Sequence, residues 1–308
     1  MKVGIVGAGL VGATAGYAIG LMKAAREVVL VDKNEALAEA QAADILHAMP
    51  FASSTRIRAG GYDALAGAEV IILSAGVNQQ PGESRLDLLA RNAAVFEAVI
   101  GQVMAIVPDP ILVVATNPVD IMTTVALRLS GLPATRVIGS GTILDTARFR
   151  ALLARHMGVS ARSIHAYVLG EHGDSEVLGW SGARVGTMPI GAFAEAQGNP
   201  FTEAVRAEID EGVRRAAYKI ISGKGATGYG IGGGLARIVA AIAQDERAVL
   251  SLSAESETLS DYPRVAFSVP RLLGAEGLIA ELAPSLDDGE RAALHASAAL
   301  LKETADAL

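Results

Sequence analysis

The 308-residue chain contains no cysteine, which excludes disulfides and thiolate metal ligation. It has no uninterrupted apolar run of the ~18 residues that span a bilayer, so no membrane association is expected. The start, "MKVGIVGAG", lacks a charged leader, apolar core and cleavage site in the secretory order, and a cytoplasmic location is the default expectation. Long blocks of one charge sign are also missing. The net charge of -7 is spread along the chain, which argues against a nucleic-acid or anionic-membrane surface and leaves small molecules as partners. No internal repeat or low-complexity linker separates parts of the chain, so its halves are expected to pack together.

What is present begins with an alternation. Short apolar runs, "KVGIVGAG", "EVVLVD", "EVIILSAG" and "ILVVATNP", alternate with segments of helical period over 10–23, 35–49, 84–107 and 119–130. The pattern predicts an α/β fold with a parallel sheet covered on both faces, because strands buried on both sides read as apolar almost throughout. After about Gly139 the rhythm changes. Expected there are a helix over "DTARFRALLARHMG", a strand-like "IHAYVL", one long helix over 203–221, an antiparallel pair from "AVLSLSAES" and "PRVAFSVPRLLG", and a final helix opened by a capping box of Asp287 and Glu290.

"VGAGLVG" sets Gly7, Gly9 and Gly12 in G-x-G-x-x-G order between the first strand and the first helix. Such a turn needs Gly7, a pyrophosphate approaches the backbone at Gly9, and helix-to-strand packing needs the small Gly12. In a glycine-rich chain the pattern alone is weak; the context strengthens it. "EVVLVD" ends in Asp32, about 20 residues further on, where a carboxylate accepts hydrogen bonds from the adenosine ribose. The same charge repels a 2′-phosphate, which favours NAD over NADP.

"GEHGDS" holds His172 between two glycines in a loop, whereas His47, His156 and His295 fall in helical segments. Upstream, Asp145 and Arg148 in "GTILDTARFR" are neighbours on one helix face. They read either as a local ion pair or as two groups with separate targets, an imidazole for Asp145 and a substrate carboxylate for Arg148. Asn117 in "ATNPVD" ends a sheet strand, where open α/β sheets bind ligands.

"GAGLVG", "GESRLDLLARN", "TNPVD", "GTILDTARFR" and "GEHGDSEV", in this order and spacing, closely resemble the lactate/malate dehydrogenase family over nearly the whole chain. The resemblance implies a Rossmann-type NAD-binding domain over 1–139 and a mixed α+β catalytic domain over 140–308, with NAD as the cofactor and no metal. It implies that His172 donates and accepts the proton, that Asp145 orients it, and that Arg148 binds the substrate carboxylate. Arg85 would polarise the reacting carbonyl from a lid formed by "VNQQPGESR". Asn117 and Thr227 would line the substrate site, and Val11, Gly76, Val77 and Asn117 would join the fingerprint around the cofactor.

Within the family, the residue six positions before the lid arginine faces the distal end of the substrate. It is Arg in malate enzymes and Gln in lactate enzymes; here it is Gln79. The expectation is therefore reversible hydride transfer between NADH and pyruvate giving L-lactate. A lactate-dehydrogenase-like malate dehydrogenase, an enzyme for bulkier 2-hydroxy acids, and a non-catalytic NAD-binding sensor are the competing readings. The resemblance further implies a homotetramer, and Arg150 and His165 match positions that bind fructose 1,6-bisphosphate between subunits in bacterial lactate dehydrogenases. Both could equally serve packing.

Overall fold

The computed structural model describes residues 1–77, 82, 85–256 and 258–308, except for the side chains of Arg85 and Leu86. Gln79, the residue expected to read the substrate, and most of the expected lid lie outside the described residues.

Six strands run parallel: β1 (Lys2–Val6), β2 (Glu27–Val31), β3 (Arg56–Ala59), β4 (Val70–Leu73), β5 (Ile111–Val114) and β6 (Val137–Gly139). Their order across the sheet is 3-2-1-4-5-6. Alternate residues face opposite layers. In β4, Val70 and Ile72 join one core, whereas Ile71 and Leu73 join the other. The first layer is packed by α1 (Leu10–Leu21), α2 (Glu35–Ala48) and α9 (Tyr229–Ala243), through residues such as Ile19, Ala42 and Val239. The second is packed by α3 (Arg85–Ile106) and α4 (Val119–Ser130), through Phe96, Val103 and Met122. Over Asp87–Ile106, α3 is long and apolar enough to cross a bilayer by length and composition. Its buried Phe96, Val99, Ile100 and Val103 instead meet the sheet, the contact a core helix makes.

The sheet continues past β6. Strands β12 (Ala248–Glu255), β13 (Ala266–Gly274) and β14 (Gly277–Glu281) form an antiparallel extension, joined to β6 where Ser253 pairs with Gly139. The expected antiparallel pair is thus present, and it covers the open edge of the parallel sheet.

The later half departs from expectation in two places. "IHAYVL" is not one strand: β7 (Ile164–His165) pairs with β10 (Arg184–Val185), whereas β8 (Val168–Leu169) pairs with β9 (Val177–Leu178) in another sheet. The helix expected over 203–221 is two, α7 (Glu203–Arg214) and α8 (Ala216–Lys224), interrupted at Arg215. At the break, the Arg214 guanidinium donates to the carbonyls of Asp174 and Glu176 and ties the end of α7 to the His172 loop. The core here packs Phe149 and Leu153 of α5 (Ile143–Met157) against Ile209 and Val213 of α7. Helix α10 (Asp288–Asp306) begins with the Asp287–Glu290 capping box.

Candidate active site

Between β1 and β4 the strand order reverses, and open α/β sheets bind ligands at such a point, beyond the carboxyl ends of the strands. Gly7 turns the chain out of β1 with φ of +105°, where an L side chain is strained, and a Cβ there would stand 2.5 Å from the Ala75 nitrogen. At Gly12 a Cβ would lie 1.9 Å from the Gly7 carbonyl oxygen. Gly9 is different: a Cβ there meets nothing within 4 Å among the described residues. Packing does not demand glycine at that point, so its missing side chain leaves open ground in front of α1. The first-turn N–H groups of a helix have no intrahelical acceptor, so this end suits a phosphate.

Asp32, just past β2, turns back to this loop. Its Oδ2 accepts the Ala8 N–H at 2.7 Å, and its Oδ1 accepts the Asn34 N–H at 2.9 Å. The carboxylate thereby sits beside the glycine turn, and its remaining lone pairs suit ribose hydroxyls. After β4, the Val77 N–H donates to the buried Asn92 Oδ1 at 2.9 Å, and a Cβ on Gly76 would crowd the same oxygen at 3.1 Å. Val11 is half-buried in the first turn of α1. Together these residues fit a dinucleotide, with a helix N-terminus for the pyrophosphate and a carboxylate for the ribose.

The proton-transfer candidates come from the other half. Asp145 lies in the first turn of α5, 2% exposed, and uses both oxygens. Its Oδ2 is 2.5 Å from His172 Nδ1, and its Oδ1 accepts from Arg148 Nη1 at 2.6 Å. The Asp145–Arg148 pair that the sequence offered as one reading is formed, and so is the Asp145–imidazole contact, one half of the other reading. Burial opposes charge on Asp145, but the His172 and Arg148 cations outweigh it and hold the carboxyl below its usual range. Burial likewise disfavours the His172 imidazolium. The Asp145 charge and hydrogen bond, with Asp120 behind, prevail and raise the ring to about 9. With Nδ1 taken by Asp145 and about a quarter of the side chain still exposed (26%), Nε2 is the nitrogen left for substrate.

Asn117 is exposed beyond β5, immediately before α4, and Thr227 is half-buried between α8 and α9. Arg85 is the first residue of α3, with its side chain outside the described residues. Arg150 and His165 are not poised alike. Arg150 donates from Nε to the Ala166 carbonyl at 2.8 Å and stacks its guanidinium 4.8 Å from the Tyr167 ring, whereas His165 is exposed on β7 opposite Arg184.

Two buried carboxylates near His172 escaped the sequence reading although both lie in stretches it singled out. Asp120 of "TNPVD" accepts the His172 backbone N–H through Oδ2 at 2.7 Å. Glu176 of "GEHGDSEV" is 4% exposed, and its Oε1 has no hydrogen-bond partner among the described residues. Burial, reinforced by the Asp145 charge, pushes Glu176 well above the usual carboxylate range.

Comparison with known proteins follows this geometry. Residues 1–139 match the model of the lactate/malate dehydrogenase NAD-binding domain, and residues 142–307 match that of the lactate/malate dehydrogenase alpha/beta C-terminal domain. An L-lactate dehydrogenase of Allorhizobium ampelinum is 60% identical over 99% of this chain and 98% of its own length. One from Thermus aquaticus is 58% identical over 100% and 99%. Among solved structures, a minor L-lactate dehydrogenase from Enterococcus mundtii in a ligand-bound form superposes with a TM-score of 0.96 at 42% identity, covering 100% of this chain and 98% of that one.

Proposed function

The chain belongs to the lactate/malate dehydrogenase family, and from that premise we propose that it interconverts pyruvate and L-lactate with NAD as the hydride carrier. One observation carries the chemical reading: a single carboxylate, Asp145, holds an imidazole by one oxygen and a guanidinium by the other. A 2-oxo acid presents a carboxylate and, one carbon away, a carbonyl oxygen that needs a proton. Arg148 and His172, fixed side by side by Asp145, meet those two groups.

NAD, when bound, gives up or accepts the hydride at C2 of the substrate. The protein supplies the proton. In the reductive direction protonated His172 gives the Nε2 proton to the C2 oxygen, and Asp145 stabilises the imidazolium beforehand; lactate oxidation needs the neutral ring. Arg148 anchors the substrate carboxylate as a charge-assisted fork. Arg85 polarises the carbonyl, with Asn117 and Thr227 forming the wall beside the substrate. The reading is tested by following NADH consumption with pyruvate. Turnover should fall on an alkaline limb as His172 loses its proton, near the pKa of about 9 that Asp145 imposes. No turnover, or a rate that is flat through that range, would reject it.

Cofactor choice rests on Asp32. Asp32→Ser should raise the NADPH:NADH ratio of kcat/KM by about tenfold or more, the worth of ~1.4 kcal/mol of relieved repulsion. Serine still offers the Ala8 N–H an acceptor, so the loop survives the change. An unchanged ratio would place Asp32 away from the ribose.

The division into a cofactor domain over 1–139 and a catalytic domain over 140–308, a cytoplasmic location and a homotetramer all accord with family membership. Fructose 1,6-bisphosphate is the proposed effector, with His165 of facing subunits as the exposed phosphate ligand and Arg150 as its cationic support. Since Arg150 is engaged with Ala166 and Tyr167, effector binding must compete with those contacts. The effector should lower the apparent KM for pyruvate. Titration that moves neither the saturation curve nor the oligomer size would remove this site.

A further inference from the structure

Glu176 is a carboxyl that the chemistry above does not use, and its placement is costly. It is buried, and its Oε1 has no hydrogen-bond partner among the described residues. Native proteins keep few such atoms, and an apolar side chain of similar volume would pack there at less cost. The backbone of the residue is pinned on both sides. Its N–H donates to the Gly173 carbonyl at 3.2 Å, and its own carbonyl accepts from Arg214 Nη1 at 2.6 Å. Arg214 is braced in turn by Asp210, whose Oδ2 accepts from Nε at 2.7 Å.

Among the described residues, the charged groups that face the carboxyl are Asp145 and Arg148 of α5, His172 of its own loop and Arg214 of α7. Arg148 gives Nη1 to Asp145, and the same guanidinium is the proposed anchor of the substrate carboxylate. Glu176 and the substrate are therefore rivals for one cation. A protonated Glu176 leaves the Arg148 charge to the substrate; an ionised one opposes the incoming anion. Burial, with the Asp145 charge acting in the same sense, favours the protonated form against the pull of Arg214, His172 and Arg148.

We infer that Glu176 is a positioning residue for substrate binding, a proton switch that leaves Arg148 to the substrate carboxylate while it holds its proton and repels that carboxylate once the proton is lost. The inference rests on the reading of Arg148 as the carboxylate anchor and of His172 as the proton donor. Linkage makes the effect reciprocal: substrate binding favours the protonated acid. His172 acts in the same direction, since reduction of the substrate needs its proton. The alkaline limb of kcat/KM for pyruvate therefore contains two proton losses. Removing the Glu176 charge also withdraws some support from the His172 imidazolium, but the Asp145 charge and hydrogen bond dominate there.

Glu176→Gln keeps the shape and removes the ionisation, and Glu176→Leu does so without polar atoms. In the wild-type protein kcat/KM for pyruvate should fall more steeply than about tenfold per pH unit over part of the alkaline limb, because two groups lose protons. In both variants the fall should be about tenfold per unit, the slope of one group. At the alkaline end KM for pyruvate should be at least about threefold lower in the variants than in the wild type, with a smaller change in kcat, because the lost repulsion acts on binding. Equal slopes in wild type and Glu176→Gln, or KM curves that coincide across the limb, overturn the switch. If neither variant folds, as read by loss of NADH binding, the wild-type slope decides, and a fall of about tenfold per unit throughout overturns the switch. A wild-type protein without an alkaline limb would instead refute His172 as proton donor, so the two failures are distinguishable.

Discussion

His172→Ala is expected to lower kcat for pyruvate reduction by about 10²–10⁴-fold, the usual worth of a positioned general acid, while NADH still binds. The separation follows from geometry. The proposed cofactor cradle comprises Gly7 to Gly12, Asp32 and Val77, whereas His172 is held by Asp145 and Asp120 and, among the described residues, takes no part in the hydrogen bonds of that cradle. Removing the imidazole leaves Asp145 with its Arg148 bond, so the substrate's carboxylate anchor persists and KM should change less than kcat. Stopped-flow and steady-state rates, together with a fluorescence titration of NADH, test both halves. Near-normal turnover, or loss of NADH binding in step with turnover, would remove His172 from its role.

Gln79→Arg is expected to shift the ratio of kcat/KM values toward oxaloacetate by at least about a hundredfold. Gln79 lies outside the described residues, so the argument rests on its place in the sequence, six positions before Arg85. If residue 79 faces the distal end of the substrate, the second carboxylate of oxaloacetate would meet a neutral amide there, and an unpaired buried charge costs several kcal/mol. Arginine supplies the missing partner as a planar fork. Pyruvate offers only a methyl group, and against it a buried guanidinium is itself left unpaired. Taking ~3 kcal/mol as the difference, the preference moves by two factors of ten. A variant whose ratio stays where the parent's was would show that residue 79 does not face the substrate.

The legible and illegible parts of the chain differ for physical reasons. The run from β1 through the glycine turn and α1 to Asp32 was readable because each piece has a local signature: apolar strands buried on both sides, glycines required by backbone geometry, and a carboxylate at a fixed distance. Strand β3, "RIRA", went unseen because an edge strand alternates charge with apolar residues over only four positions. In the later half, "IHAYVL" looks like one strand, and only non-local pairing with β10 and β9 splits it. Helical period runs straight through Arg215, and the break there follows from where Arg214 is anchored. The dyad was legible through glycines flanking a histidine and a motif of matching spacing. Asp120 and Glu176 were not, because an acid near a helix start or in a polar loop reads as a solvated charge. In the folded chain both are buried, Asp120 facing Ser253 of β12 and Glu176 in the loop whose backbone Arg214 of α7 holds.

Selection of a neutral substrate tail by this family member can be measured as kcat/KM of the unmodified protein for pyruvate and for oxaloacetate with NADH. A preference for pyruvate above about a hundredfold is expected, from the ~3 kcal/mol that a second carboxylate facing a neutral residue 79 would leave uncompensated. Equal values, or a preference for oxaloacetate, would contradict it.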